Sequence, residues 1–215
     1  MSDWGQPVDR SNRRTGAITF TAEELRDLGA AWIALGVAFA IFFGGGSRVF
    51  EVPAVFLELL LISLITAGIG FLLHELAHKI IAIRFGKRAY FKANYPMLGI
   101  AVAAALAGFI FAAPGAVYHQ GYSTARENGL IAVAGPVTNI VLGLAFVPFL
   151  FLPWGLLAAI GTYGVLINFF LAAFNMIPFG PLDGNTVSSW SWLAFGITMG
   201  ISLLLLAASV VLLLV

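Results

Sequence analysis

Cysteine is absent from this sequence of 215 residues, so it can form neither disulfide bonds nor thiolate metal sites. Charged residues make up only 10% of the chain, and they nearly cancel to a formal net charge of +1. That balance provides no basic surface for nucleic acid or another polyanion. The sequence also contains only three histidines, so an imidazole metal site would have to draw on very few residues.

Hydrophobic residues account for 60% of the chain, and the mean hydropathy of +0.98 lies far outside the range of soluble domains. We therefore predict an all-α polytopic membrane protein. Residues 1–27 are polar and are predicted to form a cytoplasmic amino-terminal segment, followed by a membrane-embedded core at 28–215. Arg10, Arg13 and Arg14 lie well ahead of the first apolar run, so that run is expected to be a retained span and not a cleaved signal peptide.

Long apolar runs mark the membrane segments at 28–46, 52–73, 129–152, 155–177 and 190–215. The stretch 98–117 is also apolar, but it is rich in alanine, interrupted by Gly108 and closed by Pro114-Gly115. The flanking stretches 89–95 and 117–123 alternate weakly, which indicates short strands. We predict about five apolar membrane segments, counted as four full spans plus a re-entrant or surface hairpin with short strands.

The motif His74-Glu75-Leu76-Ala77-His78 places two histidines four residues apart, on one face of a helix. Two such imidazoles can hold one zinc ion, and the glutamate beside them can act as a general base. The simpler interpretation is a chance pattern of hydrogen-bonded core histidines. It is disfavoured because the run 52–73 carries Glu58 as its one charge, so three ionisable groups lie together at the far end of a membrane segment.

A catalytic zinc ion usually takes three protein ligands, and the residues alone leave several candidates for the third. These candidates are His119, Glu58, Glu127 and Asp183. Asp183 is favoured because the prolines and glycines around it unwind the end of a membrane segment, and broken helices of this kind line cavities. The alternative for Asp183 is a polar turn at a helix end. His119 is expected to be a surface residue.

At these residues the sequence resembles the site-2 proteases, which are intramembrane zinc metalloproteases that cut transmembrane substrates. The segment 74–78 is similar to the family's H-E-x-x-H, and 175–184 fits its N-x-x-P-x-x-P-x-D-G pattern with every spacing kept. The resemblance implies that His74, His78 and Asp183 bind one zinc ion per chain. It also implies that Glu75 is the catalytic base.

A third element, Gly135-Pro136-Val137-Thr138-Asn139, is similar to the family's G-P-x-x-N. By that resemblance Asn139 would contact substrate or stabilise the oxyanion, and Asn175 is a candidate for the same role. From the residues alone, an amide that hydrogen-bonds a facing helix explains Asn139 equally well.

The resemblance implies an intramembrane protease whose partners are a transmembrane protein substrate and the lipid bilayer. A substrate helix must unwind before hydrolysis, and the predicted strands could pair with the extended segment. A metal transporter or channel could use the same histidines and aspartate, but it gives Glu75 no reason to be a base. A membrane metalloprotease with glutamate as its third ligand is disfavoured by the pattern at 175–184.

Basic residues predict the orientation of the chain. Lys87 and Arg88 follow the histidine helix, and the positive-inside rule places them with the amino terminus on the cytoplasmic side. Asp183 can share a metal with the histidines only if 98–117 dips into the membrane and returns, because a crossing would deliver Asp183 to the opposite face. We therefore expect the active site to open toward the cytoplasm and the chain to end outside.

Overall fold

The computed structural model describes residues 18–111 and 114–214, and most of these residues are helical. The first helix, α1, covers Ala22–Phe43, and the side chain of its N-cap, Thr21, accepts a hydrogen bond from the Glu24 N–H at 3.1 Å. A 3₁₀ turn over Gly46–Glu51 leads to the next helix. The arginines of the predicted amino-terminal segment, Arg10, Arg13 and Arg14, lie outside the described residues.

The second long helix carries the histidine motif. It consists of α2 over Pro53–Ser63, a π-helical turn over Leu64–Gly68, and α3 over Ile69–Arg84. Within the π-helical turn the Leu64 carbonyl accepts a hydrogen bond from Trp32 Nε1 on α1 at 2.9 Å. This bond fastens α1 to the segment that precedes α3.

A two-stranded antiparallel sheet follows α3. β1 covers Arg88–Ala93 and β2 covers Gly115–Gln120, and Tyr90 lies opposite Tyr118 in the register. The two strands confirm the prediction, with bounds shifted by a few residues. The ring planes of Tyr90 and Tyr118 stack on the exposed face of the sheet, with their centroids 6.0 Å apart.

Two acidic side chains of α1 occupy the outer edge of β1. Glu24 accepts a hydrogen bond from the Phe91 N–H at 2.9 Å, and Asp27 accepts one from the Ala93 N–H at 3.1 Å. Because β2 pairs with the opposite edge of β1, both edges of β1 are used. The outer edge of β2 has no neighbouring strand among the described residues.

The chain between the strands forms a hairpin that enters and leaves at one end of the bundle. α4 covers Tyr95–Leu106, and its 12 residues span only about 18 Å of a hydrocarbon core about 30 Å thick. α4 packs along α1. At the end of α4, the Leu106 carbonyl oxygen approaches Gly46 so closely that a Cβ added to this glycine would lie 2.8 Å from it. The return brings Pro114 back beside Asn94, whose N–H donates to the Pro114 carbonyl at 2.9 Å. The two ends of the segment therefore lie together at one end of the bundle, as the predicted re-entrant or surface hairpin requires.

Four more helices complete the described chain: α5 over Ala125–Phe146, α6 over Gly155–Asn175, α7 over Asp183–Trp190 and α8 over Trp192–Leu214. A 3₁₀ turn over Val147–Phe151 extends α5. The predicted fold class is confirmed, because five helices of the described chain are long and apolar enough to cross a membrane. The spans therefore number one more than the four full spans counted from the sequence, and the hairpin is additional to them.

The main hydrophobic core lies where α1, α3, α6 and β1 meet. Leu35 and Phe39 on α1 pack there with Phe71 on α3, Phe91 on β1 and Ile167 on α6. The ring centroids of Phe71 and Phe91 are 5.6 Å apart. Because Phe71 lies about one helical turn before His74, this packing fixes the position of the histidine helix.

The re-entrant hairpin predicts that Ser47 and Tyr122 lie on opposite sides of the membrane. Both are exposed, and the sequence has no cysteine, so Ser47→Cys and Tyr122→Cys each introduce a single reactive thiol. An impermeant thiol reagent should label one variant in sealed oriented vesicles and the other only after permeabilisation. Labelling of both variants from the same side would contradict the hairpin.

Candidate metal centre

Three ligand atoms converge at one point between α3 and α7. His74 Nε2 lies 2.9 Å from His78 Nε2, and Asp183 Oδ2 lies 3.2 Å from the former and 3.4 Å from the latter. A tetrahedral zinc ion with bonds of about 2.0–2.1 Å requires ligand atoms about 3.3–3.4 Å apart. The triangle therefore has the size of one zinc coordination face. Among the described residues, His74, His78 and Asp183 form the one group of three histidine and acidic side chains that are close enough to share a metal ion.

Hydrogen bonds at the opposite ring nitrogens orient both imidazoles. His74 Nδ1 lies 2.6 Å from Asn139 Oδ1, and His78 Nδ1 lies 2.7 Å from the Ile131 carbonyl oxygen. Carbonyl oxygens can only accept, so each Nδ1 carries the proton and donates it. Each Nε2 then presents a lone pair toward the other ligands, which is the arrangement that metal-binding histidines adopt.

Asn139 uses all of its hydrogen-bonding groups inside the protein. Its Oδ1 accepts from His74, while its Nδ2 donates to the Gly70 carbonyl at 3.2 Å and to Asn168 Oδ1 at 3.0 Å. The side chain is completely buried. Of the two roles left open by the sequence, the structure therefore favours the amide that bonds facing helices. In this geometry Asn139 has no free donor for a substrate or an oxyanion.

One stripe of α5 makes all of these contacts. Ile131, Gly135 and Asn139 are spaced by four residues, so they lie on the same face of the helix. At Gly135 the backbone of α5 comes very close to the two imidazoles. A Cβ at that position would lie 2.5 Å from His78 Nε2 and would clash with the imidazole of His74. A methyl group there would compete with the metal ion for its place.

Asp183 reaches the histidines because α6 stops and the chain reverses. α6 ends at Asn175, and the loop that follows contains Pro178, Pro181 and Gly180, whose φ of +62° suits glycine. Asp183 is the first residue of α7. The segment that fits N-x-x-P-x-x-P-x-D-G is thus a helix end, a turn and a helix start.

The electrostatics around Asp183 favour a cation. Asp183 Oδ2 lies 3.2 Å from His74 Nε2 and 3.4 Å from His78 Nε2, so its lone pairs face the same point as theirs. Its Oδ2 is buried without a hydrogen-bond partner. An ionised and unsatisfied oxygen beside two imidazole lone pairs fits a divalent metal ion, so these residues pass the chemical test for zinc.

Glu75 lies beside the three ligand atoms and is not one of them. The side chain is buried, with the residue only 7% exposed, and its Oε2 has no hydrogen-bond partner. The backbone amide of Val117, on β2, lies near its carboxyl group. Glu75 therefore keeps one unpartnered oxygen beside the metal position, and its carboxyl group lies next to the outer edge of β2.

A cavity of about 790 Å³ connects the ligand atoms, Glu75 and β2. Asn175 lines this cavity, and its Nδ2 donates to the Leu171 carbonyl of its own helix at 2.9 Å. His119 also lines it, although the sequence predicted a surface residue. Burial lowers the pKa of His119, and the nearby charge of Lys87 lowers it further.

A buried ion pair was not foreseen from the sequence. Lys79 Nζ lies 2.6 and 2.7 Å from the two Glu24 carboxylate oxygens, and it also donates to the Thr19 carbonyl at 2.6 Å. Lys79 and Glu24 are each at most 3% exposed. The sequence signal for this pair is the position of a lysine directly after the second histidine.

Gly135→Ala is predicted to prevent zinc binding without unfolding the protein. Its methyl group would meet the Nε2 atoms of both histidines, so zinc content should fall about tenfold or more. Gly155→Ala is the matched control, because a Cβ at Gly155 meets no atom within 4 Å. Metal analysis of the purified variants, with circular dichroism to check the fold, measures the difference. Full zinc occupancy in folded Gly135→Ala would show that the metal lies elsewhere.

Asp183 and His119 should respond differently to truncation. Asp183→Ala removes one corner of the ligand triangle, so zinc content should fall about tenfold or more. His119→Ala should retain zinc, because His119 is outside the ligand group. Equilibrium dialysis against a zinc buffer compares the two. A loss confined to His119→Ala would reverse the assignment.

Comparisons with known proteins agree with this chemistry. No protein-family model and no solved structure matches the chain. Three relatives are named "Putative zinc metalloprotease": MJ0611 of Methanocaldococcus jannaschii, YwhC of Bacillus subtilis and Rip2 of Mycolicibacterium smegmatis. MJ0611 is 41% identical over 70% of this chain and 83% of its own length. YwhC is 32% identical over 57% of this chain and 65% of its own length. Rip2 is 33% identical over 52% of this chain and 50% of its own length. The chain therefore belongs to the zinc metalloprotease family of MJ0611, and its cofactor is zinc.

Proposed function

We propose that this zinc metalloprotease is an intramembrane enzyme of the site-2 protease type. It hydrolyses peptide bonds within or near the transmembrane segments of membrane-protein substrates. The observation that carries this proposal is the position of the ligand group. His74 and His78 lie in the last third of an apolar helix over Pro53–Arg84, within a bundle of spanning-length helices.

The depth of the site supports an intramembrane reaction. Arg84 is exposed and follows His78 by six residues, which corresponds to about 9 Å along the helix. If Arg84 marks the polar surface, the ligand atoms lie below it in the hydrocarbon region. Ionisable groups at that depth are costly and are expected to serve a function.

His74, His78 and Asp183 would hold the zinc ion, which would supply a Lewis acid for the scissile carbonyl and would lower the pKa of a bound water to about 7. Glu75 is the base that takes the proton from the water, because its Oε2 is free and close to the ligand atoms. Glu75 then returns the proton to the leaving amine. Asn139 and the Ile131 carbonyl keep the two imidazoles in place throughout.

The free edge of β2 is the place where an unwound substrate pairs. The N–H groups of Phe91 and Ala93 point toward α1, so these residues form non-hydrogen-bonded pairs with Val117 and Gly115. The N–H and C=O groups of Val117 and Gly115 therefore point outward, away from β1. A substrate strand added at that edge lies next to Glu75, since Val117 is its neighbour.

The proposed orientation places the site on the cytoplasmic side. One end of the bundle carries four exposed basic residues: Arg26 near the start of α1, Arg84 at the end of α3, Arg88 at the start of β1 and Arg126 at the start of α5. The opposite end of α1 is followed by Arg48 alone. This asymmetry supports a cytoplasmic amino-terminal segment at 1–27, a metalloprotease core at 28–215 and a site open to the cytoplasm. The partners are then the lipid bilayer and a transmembrane protein substrate.

Glu75→Gln tests the proposal against the metal transporter that the sequence also allowed. The amide keeps the shape of the side chain but cannot act as a base, so cleavage should fall by about 10²–10⁴-fold while zinc stays bound. Cleavage of a model transmembrane peptide in detergent or proteoliposomes, with metal analysis, measures both quantities. Unchanged cleavage by the pure variant would overturn the protease. Zinc flux into proteoliposomes by wild type and variant alike, with no proteolysis, would establish the transporter.

A further inference from the structure

A second cavity, of about 310 Å³, lies between α1 and α3. Leu28, Gly29 and Trp32 line it from α1, and Leu72 and Leu76 line it from α3. The surface that these side chains present is almost entirely hydrocarbon. The cavity is therefore suited to an apolar group.

The two cavities meet at the catalytic base. Glu75 and Val117 line both of them, one from α3 and the other from the free edge of β2. An extended substrate on that edge sends alternate side chains to opposite faces of the sheet. A side chain close to the scissile bond can therefore enter the second cavity while the backbone stays beside Glu75.

The charges around the second cavity are already paired. Lys79 and Glu24 line it, but Lys79 Nζ lies 2.6 Å from Glu24 Oε1, and it also lies 3.9 Å from the ring centroid of Phe20. No unpaired charge apart from that of Glu75 faces the cavity within the described part of the chain. A charged side chain would lose its hydration there without gaining a partner.

The cavity has room for a large apolar side chain, because about 310 Å³ is open between α1 and α3. Successive side chains of an extended substrate point to opposite faces of the sheet, so one side chain near Val117 faces α1 and α3 while its neighbours point away. The occupant that fits this arrangement is one large apolar side chain.

We infer that the cavity between α1 and α3 is the subsite for a large apolar side chain of the substrate residue adjacent to the scissile bond. The inference rests on the proposed function and adds a preference to it. Leucine, methionine or phenylalanine at that position fills the cavity, whereas alanine leaves it empty and aspartate is excluded. Gly29 determines how much room is available, because a Cβ there meets no atom within 4 Å.

The test is whether the enzyme changes its preference among substrate side chains when a larger residue at position 29 fills the cavity. The cleavage site of wild type in a model transmembrane peptide is first found by mass spectrometry. Peptides with leucine, phenylalanine, alanine or aspartate on either side of that bond are then compared by kcat/KM. Wild type should prefer leucine or phenylalanine over alanine at one of the two positions by about tenfold or more. Gly29→Leu should abolish or invert this preference, and Gly29→Ala should reduce it.

Gly196→Leu on α8 is the matched control, because its Cβ also meets open space and Gly196 lines neither cavity. Zinc content and thermal stability establish that each variant is folded. A preference unchanged by Gly29→Leu and Gly29→Ala overturns the subsite. So does an equal loss on every peptide, which indicates a lipid chain or a helix contact in the cavity. If wild type cleaves no peptide while zinc is bound, the proposed function itself fails and the subsite fails with it.

Discussion

The metal centre depends on the hydrogen bonds that hold the Nδ1 side of each imidazole. An imidazole on a helix can present either nitrogen, and donation to a fixed acceptor removes that choice. Both acceptors come from α5, the side chain of Asn139 and the carbonyl of Ile131. Gly135, midway between them, leaves room for the ion. The packing of α3 on α5 therefore decides whether the two histidines form a ligand pair or an ordinary polar contact.

The burial of so many polar groups requires that nearly all of them find partners. Lys79 and Glu24 neutralise each other, and removing one partner of such a buried pair costs about 3–5 kcal/mol. Asn168 joins α6 to α5 through Asn139, as interhelical amides do in membrane proteins. Against this background, Glu75 Oε2 and Asp183 Oδ2 are the unpartnered buried carboxylate oxygens of the described residues. Both lie where the reaction requires free oxygen atoms.

Much of the site could be predicted from the sequence because its residues belong to local patterns. His74 and His78 follow helical spacing, and the prolines and glycines before Asp183 indicate that the chain reverses there. Contacts between distant segments could not be predicted in the same way. The Ile131 acceptor is a backbone carbonyl without a side-chain signature, and Lys79 pairs with Glu24 across 55 positions of sequence. His119 lines the cavity only because β2 returns to α3, a tertiary result that its polar neighbours do not reveal.

The hairpin connects the membrane topology with the chemistry. A non-helical backbone at membrane depth is tolerated only where protein covers it, and α1 gives that cover through its contacts with α4 and β1. The same helix satisfies the outer edge of β1 and forms one wall of the apolar cavity. The metal ligands and their acceptors instead come from α3, α5 and α7. Metal binding and the proposed positioning of substrate thus depend on different contacts. We therefore expect changes on α5 to alter whether zinc is held, and changes on α1 to alter which peptide reaches Glu75.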